Sequence, residues 1–434
     1  MRFLGIGETN ELGDMYLRLK NRGHDVRVHM SDGDSEGVMD GMLHFTSDWR
    51  DELEWVRAAD NDGIIVFETA SDGILQDELR MQGYNVIGGS ALGDRLESDR
   101  AYGQKALRDH GIQIAVTHEF DDFADAMDFV RKTRRRYVLK LNGTVWPSIS
   151  TYTGQLDSGE DMLAVLRATK QRWREGAMVS FVLMEHLSGV EVGVGAFFNG
   201  QEFLRPANLD WEHKRFFPGD VGELTGEMGT VVTYRGAEKL FDATLGRMDS
   251  LLRSSGYCGY VNLNTIVNAD GVWPLEFTCR FGYPGFPILD SLQLDRWDEL
   301  FARMLSRGSA TIRTSGGFSV GVVITVPPFP YQAGYEGLGK GMPICFSEEL
   351  TGEERDALHY GEVRLCDGQL ETAGMIGYIA VVTGIGGTIE DARKNAYRVV
   401  KKIVVPNSRY RDDIGEKLMR EDFESLRELG WIAE

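Results

Sequence analysis

The sequence predicts an α/β protein with a parallel-sheet N-terminal domain, followed by α+β segments, and three observations carry that reading. Short apolar strand-like runs alternate with helical periodicities through about residue 90. Further on, β-rich runs meet at hairpin signals such as Asn199-Gly200 and Asn268-Ala269-Asp270-Gly271. From about residue 317, strands and helices follow one another with many glycines.

The elements follow in order. Residues 2–7 form an apolar strand, Asp14 to about Arg22 a helix, and Val26 to Met30 and Gly63 to Phe67 two more strands. Asp72 to Gln82 reads as a helix and Tyr84 to Gly88 as a strand. Gly5-Ile6-Gly7 begins like a dinucleotide loop, but Gly13 lies too far on to complete it. Ser98 is placed to cap a helix through about Asp109, which His110-Gly111 ends. A strand (112–120), a helix (123–133), a strand (137–141), a helix (160–173) and a strand (178–186) come next. Tyr260 to Phe281 is a hairpin, 296–305 a helix, and 389–402 the helix that closes the last α+β segment. The charged stretch from about Asn407 is expected to pack as a terminal helix.

At 434 residues the chain has room for roughly three domains. A formal charge of −20 argues against a general nucleic-acid or anionic-membrane binder. The basic run Arg131-Lys132-Thr133-Arg134-Arg135-Arg136 falls at a helix C-terminus, where cations favour the helix dipole. Cys258, Cys279, Cys345 and Cys366 show no metal-ligand spacing. No apolar stretch approaches a membrane span, and the N-terminus opens directly into a strand without a signal peptide. A reduced cytoplasm is the expected setting.

The most informative segment is 274–284. Trp273, Leu275, Phe277, Cys279 and Phe281 alternate with Glu276, Thr278 and Arg280, so a carboxylate, a hydroxyl and a guanidinium share one strand face. With a three-residue turn at 269–271, Asn268 faces Val272, Asn264 lies opposite Glu276 and Asn262 opposite Thr278. Four oxygen-bearing side chains on one hairpin suit a hard cation such as Mg²⁺. Alternation alone is equally compatible with a cross-strand polar ladder facing solvent, and a two-residue turn puts Asn264 on the other face.

Three ordered motifs carry a resemblance. The strand reads Glu276-Phe277-Thr278-Cys279-Arg280-Phe281-Gly282-Tyr283-Pro284. Upstream stand Glu212-His213-Lys214-Arg215 and Asp220-Val221-Gly222-Glu223-Leu224-Thr225-Gly226-Glu227-Met228-Gly229. Before them comes Met184-Glu185-His186-Leu187-Ser188-Gly189-Val190-Glu191. This order resembles the glycinamide ribonucleotide synthetase family of ATP-grasp ligases. Its corresponding patterns are Glu-Phe-Asn-x-Arg-Phe-Gly-Asp-Pro, then Asp-His-Lys-Arg with Asp-x-Gly-x-x-Thr-Gly-Gly-Met-Gly, and Glu-Glu-Phe-Leu-x-Gly-x-Glu. Weaker matches are Val138-Leu139-Lys140 and Tyr410-Arg411-Asp412-Asp413-Ile414-Gly415.

The resemblance implies an ATP-grasp fold with an N-terminal pre-ATP-grasp domain (1–92), an ATP-grasp domain (93–312) and a small C-terminal α+β domain (313–407). Residues 112–190 would be a mobile ATP lid, and 408–434 a charged terminal segment. It implies an ATP-dependent carboxylate–amine ligase that activates a carboxylate, glycine or another amino acid, as an acyl phosphate for attack by an amine, releasing ADP and phosphate. The implied cofactors are ATP and Mg²⁺ or Mn²⁺; the partners are a small carboxylate and an amine acceptor, in a monomer or homodimer. Glu276, helped by Asn264 or Thr278, would hold the metal. Arg280 and Lys140 would be catalytic, Arg280 also clamping substrate and Lys140 reaching the ATP phosphates. Arg100 stands at a nucleotide-contacting lysine of the family. The backbone of Met184, Glu185, His186 and Leu187 would read adenine, and Glu191 the ribose. His213, Lys214, Arg215, Asp220, Thr225 and Gly226 would line the substrate site.

The departures are as specific as the matches. The family's glycine-rich lid is replaced by Asn142-Gly143-Thr144-Val145-Trp146-Pro147-Ser148-Ile149-Ser150-Thr151, and the metal-strand asparagine by Thr278. The family's Gly-Gly-Arg-Glu-His phosphate-binding turn gives way to Glu8-Thr9-Asn10-Glu11, whose carboxylates should repel a ribose 5-phosphate. The expected acceptor is therefore not phosphoribosylamine. The alternatives are a genuine phosphoribosylamine–glycine ligase with unusual loops, or an ATP-grasp protein that binds a nucleotide or metabolite without catalysis.

Overall fold

The computed structural model describes residues 1–35, 37–141, 151–173, 180–308 and 310–432. The predicted lid at 142–151 therefore lies outside the described residues, except for Thr151. Three sheets organise the chain. The first is parallel, in the order Asp25–Met30, Arg2–Gly7, Gly63–Phe67, Val86–Ile87. Helices Gly13–Asn21 and Gly73–Met81 connect its strands, as the alternation of strand and helix signals requires.

The second sheet is antiparallel and has eight strands, in the order Gly271–Thr278, Cys258–Asn268, Val190–Asn199, Asn208–Glu212, Gly229–Thr233, Phe318–Thr325, Tyr378–Gly386, Leu358–Tyr360. The C-terminal α+β region thus continues the central sheet, and helix Ile389–Val400 covers its strands. The third sheet orders Thr117–Phe120, Phe181–Glu185, Tyr137–Leu141 and Thr151–Thr153, with helices Phe123–Thr133 and Glu160–Arg172 packed together beside it. Aromatic contacts such as Phe123 on Phe181, 4.9 Å between ring centroids, fill that smaller core.

Period two divides the central sheet into an apolar and a polar face. Val190, Val192, Val194, Val261, Leu263, Leu209 and Trp211 enter the main core. On the opposite face, Glu276, Asn264, Gly193 and Asp210 stand in register across four strands. Thr278, Asn262, Gly195 and Asn208 form the next row. A β-carbon at Gly193 would collide with the Asp210 carboxylate, and one at Gly195 with the Tyr260 hydroxyl, so these glycines give the polar side chains their space.

Three sequence expectations change. The hairpin turn has two residues, with Asn268 paired to Gly271 and Val267 to Val272. Leu275 is then an extra residue between Thr265–Pro274 and Asn264–Glu276, a β-bulge that restores the expected facing of Asn264 and Glu276. Pro274 cannot donate to a ladder, which fits its place beside the bulge. Second, Ser98 ends a separate helix, Ala91–Ser98, and its hydroxyl donates back to Asp94 O (2.6 Å). The cap of Arg100–Asp109 is Asp99, which accepts from the Tyr102 amide (3.0 Å). Third, the strand expected over 112–120 is confined to Thr117–Phe120. Among the described residues, no helix is long and apolar enough to cross a membrane.

Candidate active site

The polar face converges on Lys214. Its ammonium lies 3.0 Å from Glu212, 3.4 Å from Glu191 and 3.4 Å from Glu276. Burial would lower the Lys214 pKa, but these three carboxylates outweigh it and hold the group well above the usual lysine range. Glu276 is also 3.3 Å from Arg100, and the nearby Lys140 adds its charge. Burial opposes ionisation of Glu276, yet Lys214, Lys140 and Arg100 bring its pKa down to about 2, so it is a carboxylate at any physiological pH. Lys140, on strand Tyr137–Leu141, is pulled down to about 8 by burial and by Arg100, against the opposing pull of Glu276. Asn264, opposite Glu276 in the ladder, donates its amide N–H to Glu191 (2.7 Å).

A small apolar cluster adjoins these charges. Ala115, Val138 and Met184 are buried together, with Leu187 and the bulged Leu275 against them. Gln104 fixes the bulge by donating to Leu275 O (3.0 Å). The Glu185 amide donates to Val116 O (2.9 Å) and the His186 amide to Arg136 O (3.2 Å). The Glu185 carboxylate pairs with Arg135 (3.2 Å) at the surface.

Arg280 projects from the end of the same hairpin toward the N-terminal domain. Its Nε donates to Glu97 (3.0 Å), and Glu11 stands 3.8 Å away. Glu8 accepts from Ser71 (3.0 Å), and the Glu11 amide donates to the buried Glu68 (2.8 Å). Burial, then the neighbouring Glu11, raises the Glu68 pKa to about 8.

The predicted substrate residues divide into two groups. Lys214 joins the charge cluster, and Thr225 donates to Lys214 O from both its amide (2.8 Å) and its hydroxyl (3.0 Å). Gly226 faces open space. His213 turns away into the joint with the C-terminal segment, where its Nε2 accepts from the Gly415 amide (3.1 Å). Burial and Arg411 bring its pKa down to about 4, so it is neutral. Arg411 is fully buried and forks onto Asp413 through two 2.7 Å bonds. It also donates to Asp220 (2.9 Å) and Arg215 O (3.0 Å). Arg215 donates to Gly222 O (2.7 Å). His213, Arg215 and Asp220 therefore belong to a lock that holds the loop.

Sequence reasoning missed Asp210, Glu212 and Glu227 as neighbours of Lys214, and Glu97 as the partner of Arg280. Asn208-x-Asp210-x-Glu212 was the available signal, a run of polar residues at period two. A larger cavity of about 490 Å³ beside Asp290, Asp295, Glu354 and Arg398 holds none of the predicted residues.

The side-chain oxygens of Glu276, Asn264 and Thr278 are of the hard kind that suits Mg²⁺, which usually keeps substrate phosphates among its ligands. Lys140, Arg100 and Lys214 supply positive charge around them. Among the described residues, no three His, Cys, Asp or Glu side chains form a metal cage of their own. The set fits a metal carried by a polyphosphate.

Two sequence models of one family match the chain: the ATP-grasp (A) domain of phosphoribosylglycinamide synthetase over 98–286 and its C domain over 319–417. The phosphoribosylamine–glycine ligase of Nostoc sp. is 27% identical over 356 residues, 79% of this chain and 81% of the relative. That of Listeria innocua is 25% identical over 430 residues, 94% of this chain and 95% of its own. Among solved structures, the phosphoribosylamine–glycine ligase of Thermotoga maritima has a TM-score of 0.71 at 22% identity, covering 95% of this chain and all of its own. The biotin carboxylase domain of 2-oxoglutarate carboxylase from Hydrogenobacter thermophilus, solved with MgADP and bicarbonate, has a TM-score of 0.65 at 11% identity. It covers all of this chain and 99% of its own.

Proposed function

Because the chain belongs to the phosphoribosylglycinamide synthetase family of ATP-grasp carboxylate–amine ligases, we propose that it joins a small carboxylate to an amine other than phosphoribosylamine. The carboxylate oxygen attacks the γ-phosphorus of ATP and ADP leaves; the amine then attacks the acyl phosphate, phosphate leaves, and an amide and a proton remain. Phosphoryl transfer of this kind is promoted chiefly by positioning and charge neutralisation.

In this reading the adenine lies against the apolar cluster of Ala115, Val138, Met184, Leu187 and Leu275, and half-exposed Glu191 takes the ribose. Lys140 and Arg100 neutralise the phosphates. Glu276, Asn264 and Thr278 would hold Mg²⁺, which supplies Lewis-acid stabilisation of the transferring phosphoryl group. Arg280 would clamp the carboxylate or acyl phosphate bidentately, and Lys214, Thr225 and Gly226 line the acyl-transfer site. His213, Arg215 and Asp220 act as positioning residues. Residues 112–190 would close as a lid, between a domain ending near 92 and one beginning near 313.

One observation carries the acceptor assignment: Glu97 and Glu11 flank Arg280, and Glu8 lies near Glu11. A ribose 5-phosphate would meet like charge there. The relatives' names favour the second reading, in which phosphoribosylamine is the acceptor. ADP release decides between them. Turnover with other amines but not with phosphoribosylamine and glycine is expected; efficient ADP release with phosphoribosylamine and glycine overturns the assignment.

A further inference from the structure

Four consecutive backbone amides converge on one side chain in the C-terminal part of the chain. Glu362 Oε1 accepts from the Met375 amide (3.1 Å), and Oε2 accepts from those of Ile376 (3.1 Å), Gly377 (2.6 Å) and Tyr378 (3.2 Å). Gly374 and Gly377 take positive φ, 71° and 85°, a backbone turn that glycine adopts freely and that aims successive N–H groups at one point. A β-carbon on Gly374 would meet the Glu362 carboxyl carbon at 2.5 Å, so glycine there admits the side chain. The Glu362 backbone pairs with the same loop, donating to Tyr378 O (2.7 Å) and accepting from the Ala373 amide (2.8 Å). Burial raises the Glu362 pKa from the ordinary 4.5, and the four amides oppose the rise. Such a nest of amides binds oxyanions, and here the chain supplies the anion itself.

The filled nest borders the acceptor side of the candidate site. Gly361 packs on the Tyr283 hydroxyl, which a β-carbon there would meet at 2.6 Å. Tyr283 stands three residues after Arg280, and its buried hydroxyl has no hydrogen-bond partner among the described residues. Burial, then Asp14, Glu362 and Glu11, raise its pKa, so Glu362 and Glu11 approach the same ring. Met375 accepts from the Ser35 hydroxyl of the N-terminal domain (3.1 Å), and the Tyr378 hydroxyl donates to Glu227 O of the substrate loop (3.1 Å).

We propose that Glu362 is a specificity-determining residue: it closes an oxyanion nest beside the acceptor site and so keeps phosphorylated amines out. This role rests on the ligase reading, and it comes from a part of the chain remote from the carboxylates beside Arg280. An incoming phosphate would have to displace the carboxylate from four N–H donors and would meet its charge. Without the carboxylate, the four amides lose their acceptor, and a small oxyanion restores it. A side chain that merely capped the turn would cost stability on removal and leave no new ligand site.

Calorimetric titration of the full chain with inorganic phosphate, native against Glu362→Ala and Glu362→Ser, tests the nest, with sodium chloride at matched ionic strength as the control. The variants should bind phosphate about tenfold or more tighter than the native chain. Phosphate should also raise their Tm by more than it raises the native Tm, a readout that serves even a variant too unstable to titrate. O-Phosphoethanolamine, a phosphorylated amine, should gain affinity in the variants likewise, and ethanolamine should not. Equal phosphate affinity in native and variant chains, or variants that phosphate stabilises no more than the native chain, overturns the proposal. A gain for phosphate without one for phosphoethanolamine overturns the role in acceptor choice. Absence of ADP release with every amine counts instead against the ligase reading, and the phosphate comparison still decides whether Glu362 closes a nest.

Discussion

Asn264 and Glu276 face each other across the hairpin because Leu275 bulges out of the strand between Pro274 and Glu276. The same bulge brings Leu275 against the apolar cluster of Ala115, Val138 and Met184. One irregular residue thus serves both the metal-binding end and the adenine end of the proposed site.

Replacing Leu275 by Ala should weaken ATP binding by roughly tenfold, because the adenine would bury less apolar surface against this cluster. Calorimetric titration with MgATP measures this. An unchanged affinity would remove this cluster from the nucleotide site.

Glu276→Gln keeps the shape but removes the charge that Lys214, Lys140 and Arg100 surround. Turnover should fall by about a hundredfold or more, and raising Mg²⁺ should only partly restore it. Initial rates across a Mg²⁺ series check this; near-native rates at saturating Mg²⁺ would exclude Glu276 from the metal site.

Asp14 ties the N-terminal domain to the end of the central sheet. It accepts from Arg18 (2.6 Å), His359 (3.0 Å) and the Tyr360 amide (3.1 Å). Burial would raise its pKa from the ordinary 3.8, but Arg18 and His359 prevail and bring it to about 2. The unfolded chain therefore takes up this proton first, and the stability Asp14 contributes is complete above about pH 4 and lost as pH falls toward 2. Asp14→Asn should cost about 3 kcal/mol at pH 7 in chemical denaturation, and the penalty should shrink in acid.

Glu68 has the opposite sign. Its folded-state pKa of about 8 lies above the ordinary 4.5, so the folded state holds the proton more tightly and loses stability as pH rises between those values. Glu68→Gln should match the native chain at pH 4 to 5 and melt at a higher temperature at pH 9. A Tm difference that does not change with pH would contradict this.

Strands Arg2–Gly7 and Gly63–Phe67 and helix Phe123–Thr133 were legible because local periodicity and turn chemistry agree with the fold there. Asn264 opposite Glu276 was also anticipated, though through a longer turn; the shorter turn and the bulge compensate, and a bulge leaves no clear mark in a single sequence. His213 and Lys214 read as one motif, yet they face opposite sides of their segment, and only the packed Arg411 lock shows it. Asp210 and Glu227 escaped notice because they meet only when strands distant in sequence pair in the central sheet. Local patterns do not encode such non-local juxtaposition.

The acyl phosphate is the centre of the account, and oxygen transfer tests it most directly. A carboxylate substrate found by ADP release, labelled with ¹⁸O in its carboxyl group, is incubated with MgATP and the amine, and the phosphate is examined by ³¹P NMR. One labelled oxygen should appear in each phosphate released. Phosphate without the label, formed at the same rate as ADP, would contradict carboxylate activation.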